Sequence, residues 1–222
     1  MNRTAFITGG ARGIGAAIAA EFTARGCTVL APPRAELELG SAGSIESFLA
    51  AHSALEVDIL VNNAGINFLS PIDKIDPTTW HQMLQVNTTA AFRLMQAFAA
   101  GMKARRYGRI LNVSSIFGSL TKESRACYSV TKAGLNALTR SAALEYGPYG
   151  IMVNSLAPGY VDTELTRQNN SPAALASIRE AIALRRLATP AELARVAWFL
   201  CSEENTYLTG QTVVVDGGFS LK

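Results

Sequence analysis

Residues 4–15 restrict most what this chain can fold into. Thr4-Ala5-Phe6-Ile7-Thr8 is a short apolar run of strand type, Gly9-Gly10-Ala11-Arg12-Gly13-Ile14-Gly15 follows at once, and residues 16–24 read as a helix. A glycine pattern gains meaning when a strand precedes it and a helix follows. Glycines at 9, 13 and 15 allow a tight turn and bring peptide N–H groups close to a pyrophosphate. The helix beyond offers free donors and a favourable dipole to that anion.

Strands and helices alternate along the rest of the chain. Strand candidates lie at 28–31, 58–62, 109–113, 152–156 and 212–215, several of them continuous apolar runs of the kind buried on both faces of a parallel sheet. Helical stretches lie at 43–52, 77–103, 125–146 and 190–201. Thr189-Pro190 reads as an N-cap with proline at the first helical position, and Gly147-Pro148 ends the long helix before it. This alternation predicts an α/β fold, a doubly wound, mostly parallel, Rossmann-like sheet in a single domain over residues 1–222. Ligands of such sheets sit beyond the carboxyl ends of the strands. The glycine turn, Asn62–Gly65, Ser114-Ser115 and Pro158-Gly159 all follow strands and should open onto one crevice.

Tyr128 and Lys132 stand four residues apart and share one face of a helix. An ammonium beside a phenol stabilises the phenolate and lowers its pKa, which makes tyrosine usable as an acid/base near neutral pH. Ser115 supplies a hydroxyl for a substrate oxygen. Alone, the Tyr–Lys spacing also fits a solvated helix face; the upstream turn is what gives it weight.

Composition agrees with an enzyme. Of 222 residues, 49% are hydrophobic and 17% charged, enough for one sizeable core. A net charge of +3 without a basic stripe gives no reason to expect nucleic acid. No apolar run reaches membrane-spanning length. Met1-Asn2-Arg3 leads directly into the first strand, with no room for a signal peptide. Cys27, Cys127 and Cys201 are odd in number and widely spaced, which points to reduced thiols and a cytoplasmic setting. With His52 and His81 as the sole histidines, no metal site is expected. Cys127 adjoins Tyr128 without a visible base, so packing is its expected role.

The chain resembles the short-chain dehydrogenase/reductase family over essentially its whole length. Residues 8–15 match its TGxxxGxG turn, and Asn62-Asn63-Ala64-Gly65 matches NNAG. Asn87 falls where the family's helix asparagine falls, and Ser115 precedes Tyr128 by 13 residues, the family spacing. Pro158-Gly159, Tyr207–Gln211 and Val215-Asp216-Gly217-Gly218 continue the match in order.

The resemblance implies an NAD(P)-dependent oxidoreductase acting on a small carbonyl/alcohol pair. Tyr128 would be the general acid/base. Lys132 would lower its pKa and bond the nicotinamide ribose, Ser115 would polarise the substrate oxygen, and Asn87 would bend its helix and help a water-linked relay to Lys132. Ser114 and Asn62 read as structural, and backbone hydrogen bonding is the competing role for Asn87. Cofactor contacts would come from Gly9, Arg12, Gly13, Ile14, Gly15, Asn63, Ala64, Gly65, Tyr128, Lys132, Pro158, Gly159, Val161 and Thr163. Two other readings stand beside this one: an epimerase or dehydratase using the same tyrosine and cofactor, and a cofactor-binding regulatory protein with idle chemistry.

The chain departs from the family after its second strand. Residues 29–38 run almost directly from one strand towards the next, without the usual joining helix. Pro33 replaces the aspartate of NAD-preferring members, and Arg34 with Arg12 could meet a 2′-phosphate, which favours NADP over NAD. Glu38 aligns with an acidic residue that bonds adenine. Residues 163–186 fall where relatives carry a substrate lid, and residues 119–125 should also line the pocket. Arg167, Arg179, Arg185 and Arg186 in the lid read as solvent-facing. The apolar helices 77–103 and 125–146 carry more hydrophobic surface than one sheet face would cover, which predicts a homotetramer or homodimer.

Overall fold

The computed structural model describes residues 3–221. Six parallel strands form one sheet in the order β2-β1-β3-β4-β5-β6: β1 (Thr4–Ile7), β2 (Thr28–Leu30), β3 (Ile59–Asn62), β4 (Gly108–Val113), β5 (Ile151–Pro158) and β6 (Thr212–Val215). The chain runs from β1 outward to β2, then returns to place β3 on the other side of β1. That reversal opens the crevice expected beyond the carboxyl ends of β1 and β3.

Strand pleating assigns the two cores. Phe6 and Leu60 point to the face covered by α2 (Ala42–Ala51), α4 (Ala90–Arg105) and α5 (Ala126–Tyr146), packing with Ile45, Phe48, Leu94 and Ala142. Ala5, Ile7, Ile59 and Val61 alternate to the opposite face, where α1 (Gly13–Ala24) and α8 (Pro190–Cys201) contribute Ile18, Phe22, Leu193 and Leu200. Each large apolar side chain fully buried this way contributes about 1.5–3 kcal/mol. The doubly wound α/β reading is therefore correct, and its helices cover both faces as such a sheet requires.

Several boundaries move. The first helix begins at Gly13, inside the glycine turn, not at residue 16. The expected helix 77–103 is interrupted: α3 (Pro77–Leu84) passes through a π turn at Gln85–Thr89 before α4 starts. Asn87 is buried within that turn. Its side chain accepts from Ile66 N at 2.8 Å and donates to Ile66 O at 2.9 Å and Thr131 Oγ1 at 3.1 Å.

The shortened segment after β2 lacks the joining helix, as expected. Residues 31–41 form neither helix nor strand; the chain then enters α2 and reaches β3 at Ile59, inside the expected strand 58–62, and β2 is left as the sheet edge. Leu37 and Leu39 still bury themselves against Phe6 and Ile45. The segment thus keeps its packing contribution without a ladder of hydrogen bonds.

Residues 163–186 hold two short helices, α6 (Glu164–Gln168) and α7 (Pro172–Ala181), capped by the Thr163 and Ser171 side chains. The capping box at Thr189 and Glu192 starts α8 as the sequence indicated. Among the described residues no helix is long and apolar enough to cross a membrane.

Candidate active site

The site is assembled from strand ends. Thr8 follows β1, and its Oγ1 accepts from the peptide N–H groups of Asn63 and Ala64, each at 3.0 Å. Asn63 Nδ2 donates to the carbonyls of Thr8 at 2.9 Å and Gly9 at 3.2 Å. These four bonds lock the loops after β1 and β3 together. Gly9 has φ +66° with Ala64 Cα 3.0 Å from where its Cβ would lie, so a side chain is excluded twice over. A Cβ on Gly15 would stand 2.2 Å from Gly9 O. The turn therefore folds flat against the start of α1.

That cradle fits a dinucleotide. Arg12 is extended at the N-cap and no side chain caps α1. The first-turn N–H groups, including those of Gly13, Ile14 and Gly15, remain free for a phosphate. Gly13 lies against Thr163, whose Cγ2 would be 3.5 Å from an added Cβ. Pro158 ends β5, and Gly159 N donates to Val215 O at 2.9 Å. Val161 is buried and bridges Ala188, bringing the 158–163 loop to the same rim.

Ser115 follows β4 and caps a 3₁₀ turn at Ile116–Gly118, accepting from Phe117 N at 3.2 Å. Tyr128 lies in the first turns of α5, near enough to Ser115 for that hydroxyl to oppose the upward shift of its phenol. Lys132 follows one turn later, buried, its Nζ 3.5 Å from the place a Gly65 Cβ would take. Its ammonium donates to Val113 O at 2.8 Å and stands 5.6 Å from the Tyr128 ring centroid. Thr131 Oγ1, partner of Asn87, also donates to Tyr128 O at 2.8 Å. Asn87, Ser115, Tyr128, Lys132 and Gly65 are thus brought together.

The electrostatics differ from the sequence expectation in one respect. Burial raises the Tyr128 phenol above its ordinary value, opposed by the hydrogen bond to Ser115 and the charge of Arg125. Lys132, expected to pull the phenol down, directs one of its ammonium protons to the Val113 carbonyl at 2.8 Å. Desolvation instead lowers Lys132 itself, to about 8. The phenol is therefore held protonated at neutral pH, ready to donate.

Other expected residues are occupied elsewhere. Arg12 pairs with Glu164 at 2.7 Å. Arg34 pairs with Glu38, which also accepts from Gly40 N at 2.8 Å; these contacts hold the Glu38 carboxyl below its ordinary value. Glu38 thus sits at the β2 loop with its carboxylate engaged by Arg34 and Gly40. Within 163–186, Arg167 pairs with Asp162 and Arg186 with Glu192. Ser114 donates to Lys132 O at 3.2 Å and Asn62 donates to Asn112 at 2.9 Å, both structural as read. Cys127 is buried, and burial raises its thiol.

Two contributors escaped the sequence reading. Thr8, quoted at the strand end and at the head of the TGxxxGxG match, was given no role of its own, yet its hydroxyl joins the loops after β1 and β3. Asn136, one turn beyond Lys132, is buried and accepts from Ser155 Oγ at 3.0 Å, tying α5 to β5.

Comparison with known proteins agrees with this geometry. The family model described as enoyl-(acyl carrier protein) reductase matches residues 36–220. The chain is 35% identical to the 3-oxoacyl-(acyl-carrier-protein) reductase FabG of Vibrio cholerae, covering 99% of this chain and 98% of that protein. A gluconate 5-dehydrogenase from Burkholderia cenocepacia, solved with NADP and tartrate, superposes with a TM-score of 0.95 at 31% identity, covering 100% of this chain and 97% of that one. A 4-hydroxyisoleucine dehydrogenase complexed with NADH superposes at 0.94 with 26% identity, covering both chains fully. The glycine cradle, the convergent serine, tyrosine and lysine, and these full-length likenesses lead to one conclusion: the chain belongs to the short-chain dehydrogenase/reductase family and is an NAD(P)-dependent oxidoreductase.

Proposed function

We propose that the chain interconverts a carbonyl compound and its alcohol with NADP as the preferred cofactor and Tyr128 as general acid/base. The observation that carries the reading is the convergence of buried Ser115 at the end of β4 with Tyr128 and Lys132 on one face of α5, the Lys132 ammonium standing 5.6 Å from the Tyr128 ring centroid. Bound nicotinamide supplies or accepts the hydride. Tyr128 delivers the proton to the substrate oxygen, and Ser115 holds that oxygen by hydrogen bonding. Lys132 binds the cofactor ribose and keeps positive charge near the phenol. Asn87 fixes the Gly65–Ile66 loop and the Tyr128 turn through Ile66 and Thr131, which supports a positioning role for it.

Arg12 and Arg34 stand exposed around the glycine turn and the β2 loop, and support a preference for the 2′-phosphate of NADP once they exchange their glutamate partners. The bound NADP in the gluconate 5-dehydrogenase favours the same choice, whereas the hydroxyisoleucine enzyme holds NADH. The segment 163–186 acts as the substrate lid. Glu164 ties it to the cofactor turn through Arg12.

Phe92 on α4 and Val130 and Leu144 on α5 are exposed apolar residues. They support a two-fold assembly through these helices, a homotetramer or homodimer whose mass light scattering reads. Free Cys27, Cys127 and Cys201 support a cytoplasmic setting.

The test is a panel of carbonyls and alcohols read by NADPH and NADH absorbance. Reduction of a carbonyl, with NADPH ahead, is the expected result. Cofactor binding without turnover of any member would overturn the oxidoreductase role proposed for these residues.

A further inference from the structure

Arg125 is the unusual group beside the site. It is 6% exposed, yet among the described residues no hydrogen bond or ion pair holds its guanidinium. Every other arginine in the lid and cofactor loops discussed above has a carboxylate or carbonyl partner except Arg179. Its nitrogens are also not among the sealed-off polar atoms without partners, a set that includes Arg3 Nε, Arg105 Nε and Arg109 Nε. The side chain is therefore packed while its donors still reach open space. A guanidinium packed along its stem with its donors unpaired and open to solvent is available to an anionic ligand.

The placement of Arg125 is specific. It occupies the N-cap position of α5, one turn before Tyr128, without capping the helix. Ser124 before it adopts a left-handed backbone with φ 62°, an uncommon state for serine, while its carbonyl accepts from Ser70 N at 3.2 Å. The guanidinium lies 5.0 Å from the Phe117 ring centroid. Phe117 packs edge-on against Tyr128 at 6.4 Å and Tyr160 at 6.2 Å. Through Phe117, the Arg125 carbon and the Tyr128 ring centre stand at most 11.4 Å apart. Its charge already acts on the phenols of both Tyr128 and Tyr160. An apolar wall of Ile116, Ile178, Ile182 and Leu187 adjoins these rings.

We propose that Arg125 determines substrate specificity by binding a carboxylate of the carbonyl substrate. The proposal rests on the carbonyl-reductase reading above and names its substrate class: oxo acids whose ketone meets Tyr128 and Ser115 while the carboxylate meets Arg125. A guanidinium fork matches a carboxylate with two parallel hydrogen bonds. The aromatic wall strengthens that pair by excluding water.

The test compares oxo acids of increasing chain length, each beside its methyl ester, with the wild-type enzyme, Arg125→Gln and Arg125→Lys. Thermal melting verifies that each variant folds. Wild type should prefer an acid to its ester. Arg125→Gln should lower that ratio by roughly ten- to a hundred-fold, mainly through KM, and Arg125→Lys should restore part of it. Preference for esters in wild type, or an unchanged ratio in Arg125→Gln, overturns the proposal and leaves the reductase reading intact. Turnover of phosphorylated ketones but not oxo acids overturns the carboxylate assignment. If neither acids nor esters turn over, the reductase reading is what fails. Calorimetric titration of glutarate then judges Arg125 by itself: binding lost in Arg125→Gln supports it, and no binding to wild type overturns it.

Discussion

Lys132 Nζ donates to the Val113 carbonyl at 2.8 Å while its charge stands 5.6 Å from the centre of the Tyr128 ring. The strand end thus anchors the ammonium, and the phenol is left to Ser115. Burial raises the tyrosine and lowers the lysine to about 8. At neutral pH the pair is a protonated phenol beside a charged lysine, a state suited to giving a proton to a carbonyl oxygen.

Tyr128→Phe should lower turnover by about a hundred- to ten-thousand-fold, since proton transfer by a positioned group is worth that much. Cofactor affinity should stay near wild type, because one hydroxyl is removed from a packed ring. Stopped-flow turnover with a parallel cofactor titration checks both. Near-full kcat in the variant would defeat the assigned role.

The reductive rate should hold through neutral pH and decline as pH rises past about 8, where Lys132 loses its charge. Stability carries the opposite slope. The folded lysine sits below its unfolded value of 10.5, so the unfolded chain binds more protons between about 8 and 10.5. Stability from this group therefore rises with pH across that window, by up to about 3 kcal/mol, and below it the burial cost is fully present. Denaturation of wild type against Lys132→Met over that range should show the difference moving in favour of wild type as pH increases. A flat difference would contradict the buried, desolvated ammonium.

Arg34→Ala should cut kcat/KM with NADPH by roughly ten-fold and leave NADH nearly unchanged, the size expected for one partly exposed charge-assisted contact. Glu164→Gln frees Arg12 from an exposed ion pair and should raise NADPH affinity by no more than about five-fold. Kinetics with both cofactors decide this; a wild-type preference for NADH would refute the reading of the β2 loop.

Gly15→Ala should abolish cofactor binding. The new methyl would stand 2.2 Å from Gly9 O and 2.4 Å from Asn63 Nδ2, both part of the turn that the Thr8 hydrogen bonds lock. Fluorescence titration of NADPH reads the loss. Wild-type affinity in a folded variant would show that the turn is looser than its contacts indicate.

The sequence by itself determined the sheet and its parallel sense, and set Tyr128 and Lys132 one turn apart on α5, because strand pleating, the glycine turn and helical spacing are local patterns. Tertiary structure decided what depends on partners distant in the chain. A bend at Asn87 was implied by the resemblance, but its π form rests on side-chain bonds to Ile66 and Thr131, neither of them a near neighbour in sequence. The burial of Leu37 and Leu39 in a loop was likewise not legible, since their partners Phe6 and Ile45 in the core cluster are assembled only by the fold. Arg12, Arg34 and Arg125 look alike in sequence. Folding gives glutamates to the first two and leaves the third packed against Phe117 with its charge unmatched, and charge pairing across the fold is what no local pattern encodes.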